Sequence, residues 1–346
     1  MAFAPQLLKW FDQHGRKDLP WQKNKTPYRV WVSEIMLQQT QVKTVIPYYL
    51  KFMQYFPNIS ALAKSPQDDV LHLWTGLGYY ARARNLHKTA QIISKDYSGQ
   101  FPDSSKELQS LPGIGRSTAG AILSFAKAQH HAILDGNVKR ILCRYYRVQG
   151  WSGHSKTQNT LWSFAEKITP VKRCGDFNQA MMDLGSGLCS RTKPQCQLCP
   201  LRTTCEACLH HETSKFPHSK PKKEMPVKSA YLLILTTKPG EILLEKRPEQ
   251  GIWGSLWSFP QCETTTEIAQ WLNRHQYIHN EKMQFSPEFR HTFSHFHLQI
   301  TPVHIQVEIP AMIMDNNHFI WFNRNKPLKI GMPTPITKLI SKLANI

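Results

Sequence analysis

The sequence predicts a mainly α region over residues 1–210, a linker at 211–228, and an α+β domain over 229–346. Three observations lead there. Apolar residues of the first region recur at helical spacing, as in Trp10-Phe11, Val30-Trp31, Ile35-Met36 and Val70-Leu71-Leu73-Trp74, with few alternating stretches between them. Residues 211–228 are polar, basic and hold three prolines, a connecting composition. Beyond them the texture becomes alternating and β-rich.

Taken along the chain, Ser104-Ser-Lys-Glu107 has the capping-box pattern that opens a short helix. Leu111-Pro-Gly-Ile-Gly115 follows, and Ala119, Ile122, Leu123 and Ala126 then mark a second helix. In the last domain, Ser229–Thr237 and Glu241–Arg247 flank Lys238-Pro-Gly240, which reads as a hairpin turn. His297–Ile309 alternates like a half-buried strand, with a break expected at Pro302 because proline cannot donate to a ladder. Ile336, Leu339, Ile340 and Leu343 share one face of a terminal helix. There is no internal repeat.

A chain of 346 residues is long for one domain and suits two. No apolar run reaches membrane-spanning length, and the start lacks a basic segment followed by an apolar core. A cytoplasmic location is therefore expected, with no membrane partner; in a bacterium the protein would associate with the nucleoid. The formal charge of +19 is unevenly spread. Residues 1–210 carry 27 Lys and Arg against 13 Asp and Glu, whereas residues 231–346 carry only about +2. Basicity concentrated in one region points to a polyanion, nucleic acid first.

Four motifs could carry chemistry. In Leu111-Pro-Gly-Ile-Gly115, Gly113 and Gly115 allow a tight reversal with backbone N–H groups exposed at the next helix start, an arrangement that accepts a phosphate of any sequence. Cys189-x6-Cys196-x2-Cys199-x5-Cys205 gathers four thiols, suited to tetrahedral zinc or a [4Fe–4S] cube, while Cys208 stands at the wrong spacing. Zinc sites usually pair two similar knuckles; within this set of four only Cys196-x2-Cys199 is one, a second arising only if Cys208 joins Cys205. Arg191, Lys193 and Arg202 lie in the same loop. Glu34 is one of only four glutamates in residues 1–210, and its neighbours in Val30–Val42 are apolar enough to raise its pKa. A solvated glutamate on a helix surface is the plainer alternative. Gly76–Asn85 sets Tyr79 and Tyr80 beside Arg82 and Arg84, a composition that stacks on bases and neutralises phosphates.

Leu111–Ala119, followed by Leu134-Asp-Gly-Asn-Val-Lys-Arg140, resembles the helix-hairpin-helix DNA glycosylase superfamily, and the uneven cysteine loop resembles its endonuclease III and MutY branch. Trp31-Val-Ser-Glu-Ile-Met-Leu-Gln-Gln-Thr40 is similar to the signature of MutY-type adenine DNA glycosylases, and the resemblance covers nearly the whole chain. It implies a fold of a helix-hairpin-helix glycosylase region with an iron–sulfur loop, then a Nudix-like domain. It implies a [4Fe–4S] cluster on Cys189, Cys196, Cys199 and Cys205, structural and DNA-orienting. It implies Glu34 as the acid on adenine N7, later activating water, Asp135 as the carboxylate that stabilises or traps the sugar cation, and Asn137 as an orienting group. Such a division of labour between two carboxylic acids is what cleavage of an N-glycosidic bond needs.

The same resemblance implies that Tyr79 wedges into the duplex, that Gln38, Gln39 and Thr40 face the opposite base, and that Trp21 lines the adenine side. Phe293, Ser294 and His295, in Arg290–His297, would recognise 8-oxoguanine. Ser117 stands where strand-cleaving members carry a Schiff-base lysine, so base excision without efficient strand cleavage is expected, with Lys139 close enough to Asp135 for a weak side reaction. Gly251–Pro260 resembles the segment before a Nudix helix, but Gln261–Ile268 lacks the carboxylate array that holds Mg²⁺. The substrate implied is double-stranded DNA with adenine opposite 8-oxoguanine or guanine, bound by a monomer. Three other readings compete: an endonuclease III-like pyrimidine glycosylase and lyase, a non-catalytic iron–sulfur DNA-binding protein, and a Nudix pyrophosphohydrolase.

Overall fold

The computed structural model describes residues 3–221, 224–278, 282–308 and 318–343. Lys222 and Lys223 of the expected linker and Ile309 of the expected strand lie outside them. In chain order the helices are α1 (Phe3–His14), α2 (Pro27–Leu37), α3 (Val42–Tyr55), α4 (Ile59–Lys64), α5 (Gln67–Leu73), α6 (Ala81–Asp96), α7 (Ser105–Ser110), α8 (Arg116–Ala126), α9 (Gly136–Tyr145), α10 (Ser155–Ile168), α11 (Cys174–Ser186) and α12 (Glu206–Leu209). Then come β1 (Val227–Thr236), β2 (Ile242–Lys246), β3 (Trp257–Ser258), β4 (Gln261–Cys262), α13 (Thr265–Arg274), β5 (Gln284–Phe285), β6 (Phe289–Thr292), β7 (His297–Gln306), β8 (Phe319–Phe322) and α14 (Thr334–Leu343).

Contacts divide the chain into two compact units. One holds residues 1–64 and 85–222, the other residues 65–84 and 223–346. The stretch Ser65–Arg84, helical in sequence texture, thus groups with the β-rich end of the chain.

In the helical unit the local signals decide where helices begin. Thr26 caps α2, its hydroxyl accepting from the Arg29 N–H with Pro27 at the first turn, and Ser104 caps α7 by accepting from the Glu107 N–H. Gly113 turns at φ +79°, and a Cβ there would lie 2.9 Å from the Asn85 Cβ, so the reversal before α8 needs glycine on both conformational and packing grounds. The core joins α1, α9 and α11 through Leu7, Phe11, Val138, Leu142, Phe177, Met181 and Leu184, and Cys189, Cys199 and Cys205 pack against it. On the other side of α8, α2 buries Trp31 and Met36 completely. The start of the expected linker is part of this unit: the buried Arg144 guanidinium holds the carbonyls of Thr213 and Phe216, both at 3.0 Å.

In the second unit β3-β2-β1-β7-β5 form a mixed sheet, with β4 on β1, β6 on β7 and β8 on β2. Lys238-Pro-Gly240 makes the expected hairpin, with Thr236 opposite Ile242. β1 and β7 pair in parallel over their full length, from Val227↔His297 to Thr236↔Gln306. The strand expected to break at Pro302 does not break. On its far side the antiparallel partner of β7 changes from β6, ending at Ile300, to β5, starting at Val303, so the missing proline N–H falls between ladders. α13 packs over Leu233, Leu243 and Val303 through Ile268 and Leu272, and α14 buries Ile336 and Ile340. No helix among the described residues is long and apolar enough to cross a membrane.

Candidate active site

Glu34 sits near the end of α2 between buried Ser33 and Ile35. Asp135 is the residue before α9, and its carboxylate caps that helix, accepting from the Val138 N–H at 2.8 Å and from Asn137 Nδ2 at 3.0 Å. The two carboxyls feel one another. Burial, and after it the negative charge of Asp135, pushes Glu34 up to about 8. Burial also raises Asp135, but there the donors of Val138 and Asn137 and the charge of Arg140 pull the other way. When the pair holds one proton, these donors keep it on Glu34 and leave Asp135 ionised.

The floor below Asp135 is built by α11. A Cβ on Gly185 would meet the Asn137 Cβ at 2.5 Å, so glycine lets the two helices close. Arg140 then donates to Asn137 Oδ1 (2.8 Å), to the Gly185 carbonyl (2.6 Å) and to the Cys189 carbonyl (2.8 Å). Ser117 Oγ, in the first turn of α8, accepts from the Leu134 N–H at 3.0 Å and ties down the loop leading into Asp135. Gly113 and Gly115 are exposed at the α8 start, and no side chain caps that helix. Trp21 is buried, edge-on to Tyr49 at 5.4 Å. Gln38 and Thr40 are half-buried where α2 ends, and Gln39 is exposed there with φ +58°.

The eight cysteines are unpaired. Cys189, Cys196, Cys199 and Cys205 are half-buried, and burial raises the last three thiols, Cys199 to about 12 and Cys205 to about 11. Negative charge on neighbouring cysteines adds to each of these shifts. Four thiolates gathered this way need a positive partner, which is the chemistry of a metal cluster. Arg144 supplies part of it, donating to Cys189 Sγ at 3.2 Å and to the carbonyls of Ser190 and Arg191. Among the described residues no three His, Cys, Asp or Glu groups are drawn close enough to hold a single metal ion. Cys208 hydrogen-bonds the Cys196 thiol, and its charge also adds to the shift of Cys205. Arg191, Lys193 and Arg202 are exposed around these thiols.

In the other unit, Tyr79 is half exposed at φ +50°, with the Arg82 guanidinium 5.5 Å from its ring. Ser294 and His295 are exposed at the tip of the β6–β7 turn, 3.3 Å apart through Oγ and Nδ1. Phe293 turns inward and stacks on Phe296 at 4.6 Å. Glu267, at the start of α13, accepts from the Glu263 N–H while Thr264 caps the helix, so its carboxylate serves a capping box.

Two family models match. Residues 32–167 match the HhH-GPD superfamily of base excision DNA repair proteins, and residues 230–342 match the NUDIX domain. The adenine DNA glycosylase of Buchnera aphidicola subsp. Baizongia pistaciae is 45% identical over 343 residues, covering 99% of this chain and 97% of its own. The chain belongs to the adenine DNA glycosylase family. The Homo sapiens adenine DNA glycosylase is 34% identical over 360 residues, spanning 86% of this chain and 65% of that protein. A thermostable thymine-DNA glycosylase has a related fold (TM-score 0.55, 28% identity, 60% of this chain and 95% of that one). An endonuclease III–DNA complex shares the fold at TM-score 0.52 and 21% identity, over 60% of this chain and 94% of that one.

The protein is thus a DNA N-glycosylase of base excision repair, a helix-hairpin-helix region followed by a Nudix-like domain. Two residues of this glycosylase do not stand out in its sequence. Arg140 ends a motif chosen for its aspartate, and Arg144 lies one helical turn beyond it; both are ordinary basic residues until the fold brings the cysteine loop onto α9. The only signal was their spacing on one helix face.

Proposed function

We propose that the glycosylase removes adenine paired with 8-oxoguanine, or with guanine, and leaves an abasic site without efficient strand cleavage. The two carboxyls, one raised by burial and by the charge of the other, carry this reading. Glu34, held protonated at neutral pH, gives its proton to adenine N7 as the C1′–N9 bond breaks, and the bonding electrons leave with the neutral base. Asp135, ionised by the Val138 and Asn137 donors, stabilises the sugar cation. Glu34, now a carboxylate, takes a proton from water as its oxygen adds to C1′, and the acid is restored. Asn137 keeps Asp135 in its rotamer. Trp21 lines the adenine side, and Gln38, Gln39 and Thr40 meet the opposite base. Ser117 has no amine to form a Schiff base, which supports hydrolysis over lyase chemistry.

The α8 start, with Gly113 and Gly115 open and a net positive helical half, takes a backbone phosphate. Cys189, Cys196, Cys199 and Cys205 hold the [4Fe–4S] cluster, which when bound supplies a cross-link of four thiolates that fixes the basic loop. Tyr79 fills the gap left by the extruded nucleotide, and Ser294 and His295 read the oxidised guanine, with Phe293 beside them. The protein acts as a monomer.

Glu34→Gln is expected to lower single-turnover excision by more than ~10³-fold while duplex binding persists. Duplexes differing only in the base opposite adenine, assayed with and without hot alkali, check the rest. Excision of adenine opposite 8-oxoguanine with strands intact until alkali supports the reading; retained turnover by Glu34→Gln, or breakage without alkali, overturns it.

A further inference from the structure

Arg84 stands in the first turn of α6, and its Nη1 donates to the Gly254 carbonyl at 2.7 Å, within one compact unit. That carbonyl belongs to a tightly held turn. Trp253 (φ +56°) and Ser255 (φ +61°) both take the left-handed region, and a Cβ on Gly254 would lie 2.1 Å from the Glu249 carbonyl oxygen. Non-glycine residues hold such conformations only where their surroundings impose them. Here the Ser255 N–H donates to the carbonyls of Arg247 and Pro248, both at 3.1 Å, and the charge of Glu249 faces Arg84.

From this turn two paths diverge. The Trp253 ring lies 5.9 Å from Phe293 and 5.9 Å from His291, whose ring is edge-on to Phe293 at 4.7 Å. With Phe296 stacked on its other side, Phe293 is clamped beneath Ser294 and His295. Toward the other end, Tyr80 Oη donates to the Met332 carbonyl at 2.9 Å and Lys246 pairs with Asp68 at 2.9 Å, so the segment carrying Tyr79 is docked on the sheet domain at several points.

We propose that Arg84 and Trp253 are specificity-determining positioning residues, which through the Gly254 turn hold the Tyr79 wedge in fixed register with the Ser294–His295 loop. The wedge and the lesion reader then move as one body, and a lesion contact at the loop is felt at Tyr79. Phe293 is the anchor of this body and need not touch DNA. The proposal rests on the lesion-reading role given to Ser294 and His295 above.

The test uses the full-length, cluster-loaded protein, with single-turnover excision from duplexes carrying 8-oxoguanine or guanine opposite adenine. A 2-aminopurine beside that base reports unstacking by the wedge. Arg84→Met keeps the aliphatic stem and removes the donor. It is expected to lower the 8-oxoguanine over guanine preference about tenfold, as Ser294→Ala does, with no further loss in the double variant. The lesion-dependent part of the 2-aminopurine signal should vanish with it, an effect that mere loss of stability would not produce. Trp253→Leu carries the same comparison if Arg84→Met does not fold. Should Ser294→Ala lose the preference and Arg84→Met keep it, the link alone is overturned. Equal loss on both duplexes by Arg84→Met also overturns it, leaving a structural role. Should Ser294→Ala keep the preference, the lesion-reading role falls and the link with it.

Discussion

The starts of α8 and α9 are two answers to one problem. Each helix begins with N–H groups that lack an intrahelical partner and attract negative charge. At α9 the chain supplies that charge itself, because Asp135 caps the helix through the Val138 N–H. At α8 it supplies none: Gly115 is the capping residue, no side chain caps it, and Ser117 Oγ in the first turn accepts from the Leu134 N–H instead. The first arrangement fixes in place a carboxylate whose charge reaches Glu34. The second leaves the same electrostatic pull for an anion from outside. Under the proposed function, two neighbouring motifs of similar sequence texture divide between chemistry and grip, and the residue before the helix decides which.

The largest effect should come from changing the charge at α9 while keeping its cap. Asp135→Asn retains an acceptor for the Val138 N–H, so the melting temperature should stay near that of the parent, while excision falls by more than ~10³-fold. Single-turnover rates on saturating duplex check it, and a variant keeping over a tenth of the rate would show that the cap alone matters. Next in size is the converse change. Gly115→Asp would give α8 its own cap, weakening duplex affinity about tenfold at low salt and flattening the salt dependence by about one phosphate's worth. Titrations at several salt concentrations check this; an unchanged slope would remove α8 from the DNA interface.

The starts of α7 and α8 were legible in the sequence because their signals are local, whereas the Asp135 cap of α9 was not read there. The Ser104 cap, the Gly113 turn and the hairpin at Lys238-Pro-Gly240 each depend on a few adjacent residues, and the structure has all three. Glu34 and Asp135 were legible only as types, one in an apolar setting and one in a motif; that the charge of Asp135 reaches Glu34 is a property of the packed helices. The continuous β7 could not be read, since whether Pro302 interrupts a strand depends on which partner lies beside it. Nor could the docking of Ser65–Arg84 on the sheet domain, or the Arg140 and Arg144 ties to the cysteine loop, whose partners lie far along the chain. Local propensity places elements; long-range burial assigns their partners.

The two carboxyls sharpen the comparison further through pH. As the proposed acid, Glu34 would work while protonated, with its pKa pushed up to about 8, so excision should hold through neutrality and fall about tenfold per pH unit above about 8. A limb near the ordinary glutamate range would instead mean that burial and the Asp135 charge do not act on Glu34. The smallest effect follows from the same shift. Below the ordinary value of 4.5 Glu34 is protonated in both folded and unfolded chains; as pH rises toward 8 only the folded chain must keep the proton, and stability is lost across that window. Glu34→Gln removes the titration. Its melting temperature should match the parent near pH 4.5 and exceed it by roughly 2–4 °C at pH 8. A site built for chemistry would then be less stable for carrying its acid, whereas Gly115→Asp at the other helix start should show no such pH-dependent difference over this window.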